Sequence, residues 1–178
     1  MKDIPLSVTL KYYKRTDVQQ ALIKAANDKE IAVVYGSKGY GKRPDILKYP
    51  NDVLTLVKNG ATSFHCSEEH WSNPLQLQPG LNKKDLDELR IGWDLVLDID
   101  CKWLEYSQIA AHLLVQALQY HDIKNVSVKF SGNHGFHIAI PFKAFPETIN
   151  NIETKKLFPE GPRKIAAHLK NMITPYLA

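Results

Sequence analysis

Two carboxylates, Asp98 and Asp100, stand one residue apart at the end of the run WDLVLDID. In a β-strand, residues two apart share a face and lie about 6.6 Å from one another. Both acids then project away from the side that Leu95, Leu97 and Ile99 would bury. At an effective dielectric near 20, two such charges repel by about 2–3 kcal/mol, a cost that a cation between them removes. Carboxylate oxygens are hard ligands, suited to Mg²⁺ or Mn²⁺. Asp94 has the same parity but opens the strand, where it reads as a surface residue or a cap.

A second group of polar residues follows in VKFSGNHGFHIAIP, residues 128–141. Val128 and Phe130 alternate with polar neighbours, and Phe136, Ile138 and Ile140 alternate again after the turn. Two strands joined by a glycine-flanked turn is the expected structure. Ser131 and His137 fall out of step with the apolar residues, so both should point away from the core. Gly132 and Gly135 let the turn backbone approach a ligand and leave N–H groups free for phosphate oxygens.

The elements that must position these groups are readable around them. Ser107 is a plausible cap for a helix over 108–121, with Ile109, Ala110, Leu113, Leu114, Ala117 and Leu118 as its apolar stripe. Strand 93–100, that helix and strand 126–131 predict a parallel pair with a crossover, to which strand 135–140 adds antiparallel. If strands 93–100 and 126–131 are neighbours, Asp98, Asp100, Ser131 and His137 share one side of the sheet. A helix from 163 to about 176 completes the order β-α-β-β-α, an RRM-like module without its last strand.

The first half predicts an α/β portion over residues 1–90, beside the module at 91–178. Thr16 should cap a helix over 17–29 whose buried face is Val18, Ala21, Leu22, Ala25 and Ala26. Residues 31–35 and 61–67 read as strands, 50–60 as a short helix ending at Gly60, and 72–90 as a connection with a helix near 83–90. The whole is α/β with a mixed sheet.

Composition sets the outer limits. The chain has 178 residues, 44% hydrophobic and 24% charged, as expected of one globular protein. No apolar run approaches the roughly 20 residues of a membrane-spanning helix, and residues 1–15 lack the apolar core of a signal peptide. An intracellular, cytoplasmic protein is the expectation. The two cysteines, Cys66 and Cys101, are too far apart for a paired zinc motif, so no zinc site is predicted. Lys and Arg total 23 against 19 acids, a net charge of +4 that permits a polyanionic partner without requiring one. Lys38, Lys42 and Arg43, near Lys48, are the local basic cluster that could touch such a polyanion, a nucleic acid among them.

Two look-alikes carry less. GSKGYGKR, residues 36–43, nearly spells a P-loop, but Arg43 and Pro44 stand where a hydroxyl ligand and a helix are needed. In HCSEEH, residues 65–70, a strand would turn His65 and Cys66 to opposite faces, so structural use is the expectation.

DLVLDID, followed after a helix by VKFSGNHGFHI, resembles the first two motifs of the archaeo-eukaryotic primase superfamily: an acid pair on a strand, then Ser-Gly-x-x-Gly-x-His. The resemblance covers residues 94–141, with fainter similarity at KRPDILKYP and ATSFHCSEEHW. It implies a template-directed nucleotidyltransferase, a DNA primase small subunit or primase-polymerase core. Asp98 and Asp100 would hold two Mg²⁺ or Mn²⁺ ions; Ser131, Gly132, His134, Gly135 and His137 would hold the nucleoside triphosphate. The implied partners are single-stranded DNA template, nucleoside triphosphates and a primase large subunit or other chain. His134 stands where relatives often carry Arg or Lys. The family's third metal-binding acid and its later basic motif have no counterpart, and neither has a zinc knuckle. Glu147, Glu153 and Glu160 are the available substitutes for that acid. The alternatives are an end-joining or repair polymerase of the same superfamily, a catalytically incomplete nucleic-acid-binding subunit, and a metal-dependent phosphoesterase.

Overall fold

The computed structural model describes residues 4–177. The chain divides into two compact units, the first ending at Ile91 and the second starting at Gly92, one residue past the expected division.

The first unit begins with helices α1 (Leu6–Tyr13) and α2 (Thr16–Ala26). Thr16 is the first helical residue of α2 rather than its cap. Arg15 precedes it and pairs with Asp17, an acid well placed in the first turn. The buried face of α2 is rotated from the expected stripe. Ala21 and Ala25 are exposed, while Ile23 packs against the core and Gln19 is buried, its Nε2 donating to the Tyr13 carbonyl at 2.7 Å. A satisfied amide can be buried where an apolar pattern would not place it.

Strand β1 (Ile31–Val34) pairs antiparallel with β2 (Ser63–Cys66), and helix α3 (Pro50–Lys58) lies between them in sequence. Pro50 opens α3, Asp52 accepts from the Lys48 and Tyr49 amides, and Gly60 closes it at φ 98°. Residues 36–45, between β1 and α3, hold a short 3₁₀ turn and two isolated bridges, Tyr40 to Val34 and Asp45 to Ile31, but no α-helix, so no helix N-terminus faces the glycines and the P-loop is excluded. Val33, Val53, Val57 and Ala61 are almost wholly buried at the centre of this unit. Strand β3 (Glu69–Trp71) and helix α4 (Lys83–Leu89) follow, then strand β4 (Arg90–Trp93), which is paired to β3 and whose last two residues, Gly92 and Trp93, belong to the second unit. Neither β3 nor the separation of β4 from the next strand was expected.

The second unit is built on β5 (Leu95–Asp100), α5 (Leu104–Tyr120), β6 (Ser127–Phe130), β7 (Gly135–Ile140), a small hairpin β8 (Thr148–Ile149) and β9 (Ile152–Glu153), and α6 (Glu160–Ile173). The strand order is β5-β7-β6 with both pairings antiparallel, so β5 and β6 run parallel with β7 between them. The two strands of the β-α-β unit, 93–100 and 126–131, are thus parallel without touching, and the expected mixed sheet is corrected: both pairings within it are antiparallel. A crossover fixes that two strands run parallel, not that they touch. Helices α5 and α6 cover one face of the sheet, where Leu95, Leu97, Ile138 and Ile140 meet Leu114, Leu118, Leu169 and Ile173. Each fully buried residue of this kind contributes about 1.5–3 kcal/mol.

Two details differ from the expected helix. It starts at Leu104, so Ser107 is a buried residue of its first turn rather than a cap, and Ile109 is exposed. Asp94 breaks the strand between β4 and β5, its carboxylate accepting from the Phe142 amide at 3.0 Å. The β8–β9 turn uses Asn150 and Asn151, both at positive φ, a conformation asparagine tolerates. No helix among the described residues is long and apolar enough to cross a membrane.

Candidate functional site

The face of the β5-β7-β6 sheet opposite the helices carries the polar residues singled out above. Register sets them in rows. Asp98 lies opposite His137, which lies opposite Lys129; one step on, Asp100 lies opposite Gly135, which bonds back to Ser131. Directly opposed residues on a sheet point the same way. Asp98, His137 and Lys129 therefore form one row, and Asp100 and Ser131 sit at its end beside the turn. Asp98, Asp100, Lys129 and Ser131 are exposed and His137 is half-buried. His137 Nε2 stands 3.5 Å from Asp98 Oδ1, close for an ion pair but long for a hydrogen bond.

The turn is shaped by its two glycines. Gly132 has φ 97°, a backbone conformation L side chains rarely adopt. A Cβ at Gly135 would lie 2.2 Å from the Ile99 carbonyl oxygen, so only glycine lets β7 approach the end of β5. The Gly135 amide donates to Ser131 Oγ at 3.2 Å and the Ser131 amide donates to the Gly135 carbonyl at 2.9 Å. These bonds close the turn and leave His134 exposed at its tip.

Lys129 was not among the residues expected at this site. Its alternation with Val128 and Phe130 was visible, but only the register places it opposite His137.

The three glutamates considered as a third acid are held elsewhere in this unit. The Glu147 carbonyl accepts from the Thr154 amide, and the Thr154 carbonyl accepts from the Trp93 indole at 2.9 Å. Glu153 adjoins Thr154 and pairs with Lys155 and Lys156; its carboxyl is held below the usual range, chiefly by the Lys156 hydrogen bond. Glu160 begins α6, where Gly161 lies against the Trp93 ring. All three are tied to the Trp93 end of the unit, while Asp100 lies at the far end of β5, about 17 Å from Leu95 at strand rise. Among the described residues, no group of three His, Cys, Asp or Glu converges on one point.

In the first unit, Lys38 and Lys42 are exposed on the loop after β1. Arg43 has a partner already. Its guanidinium grips Glu30 through two bonds of 2.7 Å, which hold it more firmly protonated. His65 bonds to Ser63 Oγ at 3.1 Å and its ring meets Tyr40 edge-on.

No family model matches the chain. A stretch of 120 residues is 28% identical to a protein of Methanocaldococcus jannaschii named Uncharacterized protein MJECS07, covering 65% of this chain and 25% of that protein. The chain thus spans about a quarter of the length of the relative it matches.

Proposed function

We propose that the open face of the β5-β7-β6 sheet is the nucleotide site of a template-directed nucleotidyltransferase, a primase-type catalytic core with an RRM-like module. The observation that carries this reading is the register that sets Asp98 against His137, with Asp100 and Ser131 beside a turn that only glycine can form. Exposed carboxylate oxygens on one strand face fit Mg²⁺ or Mn²⁺. When bound, such ions neutralise phosphate charge and lower the pKa of an attacking 3′-hydroxyl.

The chain's own residues divide the remaining work. Asp98 and Asp100 supply the anionic oxygens. His137 and Lys129 present donors to phosphate oxygens across the same row, and the turn brings the backbone of residues 132–134 close, the Gly135 amide being already bonded to Ser131 Oγ. Lys38 and Lys42 are the template contacts this reading keeps, with single-stranded DNA as the polymer. Arg43 contributes to the fold through Glu30. A third carboxylate would reach the site along the outer edge of β5, which pairs with no strand among the described residues. A primase large subunit or another chain segment is its expected source.

The second reading is binding without turnover. It is favoured by the placement of Glu147, Glu153 and Glu160 at the Trp93 end, which leaves two acids at the site. Incorporation of labelled nucleotide on a single-stranded template with Mn²⁺, with and without an annealed primer, separates the possibilities. The polymerase reading expects synthesis that falls on the order of 10³-fold in Asp98→Asn, about 4 kcal/mol of transition-state stabilisation, with the fold unchanged. Synthesis without primer marks a primase, and synthesis only with primer marks a repair extender. No synthesis, with metal-independent DNA binding retained, selects the binding subunit and rejects the polymerase.

A further inference from the structure

His121, His168 and Met172 bring three metal-ligating atoms together at the seam between α5 and α6, apart from the sheet face discussed above. His121 Nε2 lies 3.1 Å from His168 Nε2 and 3.2 Å from Met172 Sδ. The two imidazole centroids are 5.1 Å apart with planes inclined by 53°. His168 and Met172 are four residues apart on α6 and so share one face. His121 comes from the other helix, as the residue that closes α5.

The positions are held by the fold. The His121 amide donates to the Leu118 carbonyl at 3.1 Å, Asp122 takes a left-handed conformation at φ 59°, and the Ile123 amide returns to Leu118 at 3.0 Å. This is the six-to-one closure of a helix end, and it fixes the direction in which His121 leaves the helix. On α6, Leu169 and Ile173 are buried in the core, which sets the rotation of the helix and the place of His168 and Met172.

Hydrogen bonding alone accounts poorly for the arrangement. Both histidines are exposed and could bond to water, and a thioether is a weak acceptor that gives an exposed imidazole little in exchange. Ligation accounts for it better. Two nitrogens bound to one tetrahedral ion at about 2.0–2.1 Å stand about 3.3–3.4 Å apart. A nitrogen and a sulfur at about 2.3 Å stand about 3.5 Å apart on the same geometry. The observed spacings lie within a few tenths of an ångström of both.

The donor set selects the ion. Two imidazoles and a thioether carry no charge, and thioether sulfur favours copper(I) over the harder divalent ions. Zinc sites usually add thiolates or carboxylates, and no such group joins this cluster among the described residues. We propose that His121, His168 and Met172 form a binding site for one copper(I) ion.

The test uses the full chain with Cys66→Ser and Cys101→Ser, which removes both competing thiols. The chain has two methionines, so methyl-labelled protein gives two resonances to follow during anaerobic titration with copper(I). The site predicts that the Met172 methyl shifts and saturates at one equivalent. Competition with a chromogenic copper(I) chelator should show affinity falling at least about tenfold in Met172→Leu and in His168→Ala. His168 is exposed, so its variant stays folded and keeps the test decisive even if Met172→Leu does not. No shift of Met172, or equal affinity in His168→Ala, would overturn the proposal. Tighter binding of zinc(II) than copper(I) at the same residues would overturn the choice of ion.

Discussion

Two clusters of charge, one in each unit, are built in opposite ways. In the first unit Arg90 is 3% exposed and its guanidinium meets Glu69 at 2.8 and 2.9 Å, with Asp87 on its other nitrogen and the Trp71 ring beneath it. In the second, Asp98 keeps a side chain 70% exposed and, among the described residues, its ion-pair partner is His137 at 3.5 Å. Charges that serve folding are buried and closely paired, because an unpaired buried charge costs several kcal/mol. Acids left open on a bare sheet face do nothing for the core. The contrast assigns Arg90 to architecture and leaves Asp98 and Asp100 available for a ligand.

The largest expected effect tests the architectural half. Arg90→Ala removes one partner from a buried ionic cluster and should destabilise the protein by roughly 3–5 kcal/mol in urea unfolding. A loss under about 1 kcal/mol would show that the pairing stabilises little, as on a surface.

Gly135→Ala probes the join between the open face and the backbone beneath it. The added Cβ meets the Ile99 carbonyl, and the required shift should cost about 1–3 kcal/mol while displacing Asp100 and Ser131. Unchanged stability with unchanged nucleotide binding would mean that the close approach of β7 to β5 does not shape the site.

The smallest effect is a pH dependence. Burial raises the Glu69 carboxyl above its ordinary value, an effect that the Arg90 hydrogen bond only partly offsets. The folded state therefore holds a proton that the unfolded chain releases. The associated stability is present below the unfolded pKa, near 4.5, and is lost as pH rises through the folded value. Relative to Glu69→Gln, the unmodified protein should be more favoured at pH 4 than at pH 7 in paired urea titrations. A difference that is flat or grows with pH would reverse the assignment.

The β5 acids and the Ser131–His137 turn were legible because alternation fixes which residues share a face. Their pairing was not, since a crossover helix leaves open whether another strand lies between the two it joins. Alternation already put Lys129 on the Ser131 face, yet it was missed; only its place opposite His137 depends on β7 separating β5 from β6. Hydrophobic periodicity likewise located α2 and α5 but misjudged their ends and faces. Gln19 and Ser107 are polar residues inside, and Ile109 is an apolar residue outside, which a pattern of apolar residues alone cannot foresee. The Asn150-Asn151 turn carried a recognisable signal, two residues tolerant of positive φ, in a segment whose flanking strands are only two residues long.

The central claim is that Asp98 and Asp100 are held open for a divalent cation. Mn²⁺ titration followed by electron paramagnetic resonance, with a non-hydrolysable nucleoside triphosphate present, tests it most directly. The account predicts Mn²⁺ bound by the protein–nucleotide complex beyond what the nucleotide binds by itself, and loss of that excess in the Asp98→Asn, Asp100→Asn variant. Equal Mn²⁺ binding by the variant and the unmodified protein would contradict it.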